Sequence, residues 1–232
     1  MNAVKGTNRL ILDDMRLYML IFTSIALGLT AVYVAIGFLF HVSYASQLFG
    51  PMYGGICTFA IAGLITLYPV AIGMGSTRIQ FMKSFYMMGA CMVVGTMIIL
   101  HVIYGVVHLL NVGGWLQVTL YQPGMLYSSS YLVFPYLWID MMLGLLVLGL
   151  SVFLTVCCIR LGLRNFLILL FGFGLVLSLV VAFGDMRQFT LWIAYQNRML
   201  VFTVLGVIGG ALLLSTYPMM KHAPLVRKGS KD

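Results

Sequence analysis

Six long apolar runs constrain this chain more than any other feature. They are Leu17–Phe40, Tyr53–Met74, Phe85–Leu110, Tyr131–Ile159, Phe166–Gly184 and Leu200–Met220. About 20 apolar residues in a helix cross the hydrocarbon core of a bilayer. Inside lipid every backbone N–H and C=O must be satisfied within the protein, so runs of this kind are read as helices. Composition agrees: 62% of the residues are hydrophobic and 8% are charged, where a soluble domain carries about 25% charged residues. The sequence predicts an all-α integral membrane protein with six transmembrane helices.

Orientation is read from the basic residues. Lys5, Arg9, Arg16, Arg78, Lys83, Arg160, Arg164, Lys221, Arg227, Lys228 and Lys231 fall at one end of the runs, and only Arg187 and Arg198 at the other. Cytoplasmic loops carry the excess of lysine and arginine. Both termini are therefore expected in the cytoplasm, with residues 221–232 as a basic tail. The net charge of +8 has this topological explanation and does not point to nucleic acid. The first run is about 24 residues long. A signal-peptide core is about 7–15, so the run is expected to be an anchor. Trp115, Tyr121, Tyr127, Tyr131, Tyr136, Trp138, Trp192 and Tyr195 collect at the expected outer surface, where amphipathic rings prefer to sit. The outer loop Asn111–Ser130 is turn-rich, yet partly apolar enough to lie in the interface.

No soluble domain is expected, and no phosphate-binding Gly-x4-Gly-Lys-Ser/Thr loop is present. There is likewise no His-Glu-x-x-His and no Gly-x-Ser-x-Gly, so no catalytic residue is assigned. Cys57, Cys91, Cys157 and Cys158 lack metal-ligand spacing and are read as small core residues. The 17 methionines lack consistent cysteine or histidine partners and are read as adaptable packing, so no metal site is assigned. Gly206 and Gly210, with Gly209 beside them, and Gly172 with Gly174 permit close helix approach.

Two places carry candidate function. In the first, span two ends at Gly73 and Gly75, and Ser76-Thr77-Arg78-Ile79-Gln80-Phe81-Met82-Lys83 leads almost at once into span three. Ser76 or Thr77 is a candidate helix cap. The segment reads either as a plain hairpin turn with positive-inside charges, or as a short amphipathic coupling helix that docks a cytoplasmic partner.

The second lies within the membrane. Asp140 falls about nine residues into span four, roughly 13 Å deep at 1.5 Å per residue. A charge at that depth costs about 2.5–3.5 kcal/mol on insertion scales, so it is expected to face protein or a wet cavity, or to be protonated. His101, Tyr104 and His108 share one face of span three, and a pairing of Asp140 with that face is expected. It reads either as a proton relay or polar substrate contact, or as an interhelical hydrogen bond that fixes packing.

The stretch from Pro69 to Lys83 resembles the region after the second span of small ABC-2-type transporter permeases of Gram-positive bacteria. There a glycine followed by Ser/Thr-Arg, a polar residue and an aromatic leads into span three. Leu10-Ile11-Leu12-Asp13-Asp14-Met15-Arg16-Leu17 resembles the amphipathic N-terminal segment of that family. Arg160-Leu161-Gly162-Leu163-Arg164 resembles its turn between spans four and five. The resemblance implies a permease subunit that pairs with a second permease and with separate ATPase subunits. ATP and Mg would be bound by the ATPase and no cofactor by this chain. Ser76, Thr77, Arg78, Ile79, Gln80, Phe81 and Lys83, with Asp13, Asp14 and Arg16, would meet the ATPase. The cargo implied is a lipid, drug or antimicrobial peptide. The chain departs from many relatives in having no glutamate. An ion-coupled transporter or channel, and a non-transporting accessory or immunity protein, are the alternatives left open.

Overall fold

The computed structural model describes residues 3–40, 44–115, 118–128, 131–183 and 197–221. Its elements, in chain order, are α1 (Ala3–Phe40), β1 (Tyr44–Gln47), α2 (Phe49–Gly73), α3 (Arg78–Val112), β2 (Val118–Tyr121), a 3-10 turn (Pro123–Leu126), α4 (Val133–Leu161), α5 (Leu163–Phe183) and α6 (Arg198–Lys221). Each of the six helices is long and apolar enough to cross a membrane. The described residues have the helical architecture of a multi-pass membrane protein. Asp185, Arg187, Trp192, Tyr195 and the tail beyond Lys221 lie outside the described residues.

Two expected short elements are absorbed into long ones. The amphipathic N-terminal segment is the first part of α1, a single helix of 38 residues and so about 57 Å long. Thr7, Ile11 and Met15 are buried. Their spacing of four puts them on one stripe of that helix. The expected short coupling helix also does not form separately. Residues 78–83 are the first turns of α3, which runs unbroken for 35 residues.

The helical rod α2 contains a π-type stretch, Gly63–Leu67, in which the Tyr68 N–H reaches the Gly63 carbonyl. The cause is in the sequence: Pro69 has no N–H to donate to the preceding turn, and the wider register accommodates the loss. At the same place Gly63 lets α2 and α3 touch, because a Cβ there would run into the Phe85 ring. Phe85 stacks on Phe59 at 5.4 Å and on Phe81 at 5.7 Å between ring centroids, and Tyr68 meets Phe81 edge-on at 5.3 Å. This aromatic ladder belongs to a core to which α1, α2, α3, α4 and α6 all contribute.

Glycines decide the contact between α4 and α6. A Cβ on Gly149 would collide with the Gly209 carbonyl, and one on Gly206 or Gly209 with Met142 or the Leu145–Leu146 backbone. The pairing therefore uses Gly206 and Gly209, whereas the motif reading favoured Gly206 and Gly210. The nearest atom to a Cβ on Gly210 is Leu145 Cδ2 at 3.8 Å. In α5 no described side chain is buried. Gly172 and Gly174 there face open space.

Two further expectations change. No described cysteine is fully buried, and Cys91 is exposed, so these residues are not core. The α1–α2 and α3–α4 connections together form a small sheet. β1 and β2 pair in parallel, Tyr44 opposite Val118 through Gln47 opposite Tyr121, with α2 and α3 as the crossover. The Asn111 side chain fastens β2 by accepting from Val118 N–H at 3.1 Å and donating to the Val118 carbonyl at 2.5 Å.

Candidate functional site

The helix α3 carries one candidate site at each half. At its N-terminus the chain turns through Met74, Gly75 and Ser76. Gly75 has φ +87°, a left-handed conformation that glycine adopts at little cost. Thr77 then caps α3 in a full capping box. Its hydroxyl accepts from Gln80 N–H at 3.2 Å, and the Gln80 side chain accepts from Thr77 N–H at 3.2 Å. Such a cap satisfies two of the otherwise unpaired helix-end donors. Arg78 donates to the Lys221 carbonyl at 3.2 Å, so the start of α3 is tied to the end of α6.

The sequence treats Ser76 to Lys83 as one partner-facing group, but the structure divides it. Thr77, Ile79 and Lys83 are exposed, together with Gly73, Met74 and Gly75. Arg78 and Gln80 are half-buried, and both are engaged as described. Ser76 is buried, and Phe81 is fully buried in the aromatic ladder. Phe81 thus has no free surface for a partner, because the face it shares with Phe85 is the one that packs on α2. On α1, Asp13 is exposed and lies 3.9 Å from Arg9, four residues earlier. Arg16 is exposed and Asp14 half-buried. Asp14 Oδ2 is a buried oxygen with no hydrogen-bond partner.

Halfway along α3 lies a polar cluster. Asp140 of α4 is fully buried. The Tyr53 hydroxyl of α2 donates to Asp140 Oδ1 at 3.0 Å. His101 Nδ1 is 3.8 Å from Asp140 Oδ2 and 3.1 Å from the Met97 carbonyl. A carbonyl only accepts, so Nδ1 carries a proton and donates to Met97. Tyr104 is buried, its ring edge-on to His101 with centroids 6.0 Å apart. The expected meeting of Asp140 with the histidine face therefore occurs at His101 and Tyr104. His108 is not part of it. That residue is exposed one to two turns further along, against Tyr131 at 5.0 Å.

Tyr53 was missed from sequence. A lone tyrosine near the end of an apolar run reads as an interfacial aromatic, and only the tertiary fold turns it onto Asp140. Arg198 donates to the Leu126 carbonyl, and Asp185 and Arg187 lie outside the described residues. Among the described residues no cluster of three or more His, Cys, Asp or Glu side chains could hold a metal ion.

The chain matches no known family model, no curated protein and no solved structure.

Proposed function

We propose that this chain is the membrane-spanning permease subunit of an ATP-driven ABC exporter. It pairs with a second permease subunit and with separate ATPase subunits that bind ATP and Mg. Its cargo is hydrophobic or amphipathic: a lipid, drug or antimicrobial peptide. It resides in the cytoplasmic membrane with the basic end and both termini inside.

One observation carries this reading. Exposed Ile79 and Lys83 lie in the first turns of α3, directly after the exposed Met74 turn and the Thr77 cap, and α3 runs unbroken from there to His101 and Tyr104. That helix is about 52 Å long at 1.5 Å per residue. A push on the turn moves His101 and Tyr104 against Asp140 without an intervening hinge. The turn is capped and tied to α6, so a docked ATPase displaces helices and does not merely reorder a loop. Residues available for docking are Thr77, Ile79, Lys83 and Met74, with Asp13 and Arg16 on α1. Phe81 acts behind them as the aromatic brace.

The test is to coexpress the tagged chain with its genomic neighbours and measure whether an ATPase copurifies. Ile79→Asp with Lys83→Glu is expected to abolish recovery of the ATPase at unchanged thermal stability. No ATPase recovered from detergent or nanodiscs, with the unaltered chain, contradicts the reading.

A second reading, an ion-coupled transporter, is favoured by the Asp140–Tyr53–His101 cluster. Its discriminating variant is Asp140→Asn. Lost transport with retained ATPase binding assigns the cluster to transport. Unchanged transport with lower thermal stability assigns it to helix packing.

A further inference from the structure

Above the polar cluster, at the end of the molecule opposite the basic residues, lies a cavity of about 210 Å³. Its walls include Tyr104 and His108 of α3, Gln122 after β2, and Tyr131 and Tyr136 at the start of α4. An apolar cavity of about 150 Å³ admits benzene, so this one admits a ring with a short polar arm.

The polar atoms around it are unequally matched. Asn111 is spent on β2, and Tyr136 donates to the Ser128 carbonyl at 2.6 Å. Gln122 Oε1 and the Tyr104 hydroxyl are buried and have no partner. Gln122 is 9% exposed and Tyr104 is 1% exposed, and both line the cavity. Beneath Tyr104, His101 Nε2 and Asp140 Oδ2 are also buried without a hydrogen-bond partner. Gln122 Oε1 and the second carboxyl oxygen of Asp140 offer lone pairs, and the Tyr104 hydroxyl can do so too. Leaving such groups unpaired is costly. Among the described residues no lysine or arginine lines the cavity. Tyr131 and Tyr136, edge-on at 5.3 Å between centroids, add aromatic faces of the kind that attract cations.

We propose that this cavity binds a small primary ammonium group on an apolar or aromatic body, its N–H donors satisfied by Gln122 Oε1 and the Tyr104 hydroxyl. The ammonium arm points down toward Asp140 and the apolar part lies against Tyr131 and Tyr136. The site stands on its own geometry and does not depend on an ATPase partner.

Benzylammonium is the probe, with benzyl alcohol as its uncharged counterpart. Binding is measured by calorimetry and by melting-temperature shift on the full chain in phosphatidylcholine nanodiscs. Benzylammonium is expected to bind at least about tenfold more tightly than the alcohol, as one charge-assisted hydrogen bond would give. Gln122→Leu and Tyr104→Phe are each expected to weaken it by about tenfold, while the ligand-free protein melts no lower. Should one variant fail to fold, the other retains the test. Equal binding of amine and alcohol, or binding unaffected by both variants, overturns the proposal and leaves a water-filled cavity. Adding phosphatidylethanolamine separates two sources of the ammonium. Competition with the probe identifies the lipid headgroup as the ligand, and undiminished probe binding identifies a free amine.

Discussion

Single side chains in this protein act at two kinds of position, buried polar contacts and glycine contacts. Tyr53→Phe removes the donor to Asp140 Oδ1. Interhelical hydrogen bonds in membranes average about 0.6 kcal/mol and reach about 1.7. The variant is therefore expected to lose about that much stability in reversible unfolding, and a double-mutant cycle with Asp140→Leu, which removes the acceptor, should show coupling. Additive effects would mean that the contact contributes nothing. Gly149→Leu is expected to cost more, because its side chain would occupy the Gly209 carbonyl position. Overpacking of this kind typically costs 1–3 kcal/mol or more. Gly172→Ala, with open space around it, is the matched control and should melt like the parent. Similar melting of both variants would contradict the α4–α6 contact.

At the scale of the element, α3 is central. Its capping box predicts that Thr77→Ala lowers stability by about 0.5–2 kcal/mol, measured by thermal melting. Thr77→Ser should retain most of it, since the hydroxyl is kept. The cap was legible in the sequence, as Thr77 and Gln80 stand three apart before an apolar run. The six spans were legible too, because twenty consecutive apolar residues admit few alternatives in lipid. The continuity of α3 through Arg78–Lys83 was not. A short polar segment after two glycines has the same pattern whether it forms its own helix or starts the next one. The burial of Phe81 decided between them, and that burial depends on the Phe59, Phe85 and Tyr68 rings of the fold. The β1–β2 pair escaped notice for a similar reason. Each strand has four residues, too short for its alternation to stand out among turn residues. His108 was grouped with His101 by helical spacing alone, and in the fold its ring neighbour is Tyr131.

For the whole molecule, the account requires one face of the membrane to hold the basic ends. Alkaline phosphatase fused after Gly114 is expected to be active and after Lys221 inactive. The reverse pattern, or activity at both, would invert or break the proposed topology. The account also requires that the polar cluster and the docking turn belong to one moving body, since α3 carries both. Its central claim is that an ATPase contacts the exposed turn. The most direct measurement is site-specific photocrosslinking in cells from a probe at Ile79, with Phe134 at the opposite end as control and mass spectrometry to identify the captured chain. The account predicts capture at Ile79, and none at Phe134, of a protein bearing a Gly-x4-Gly-Lys-Ser/Thr phosphate loop. Absence of such a protein at Ile79, or its equal capture at both positions, would contradict it.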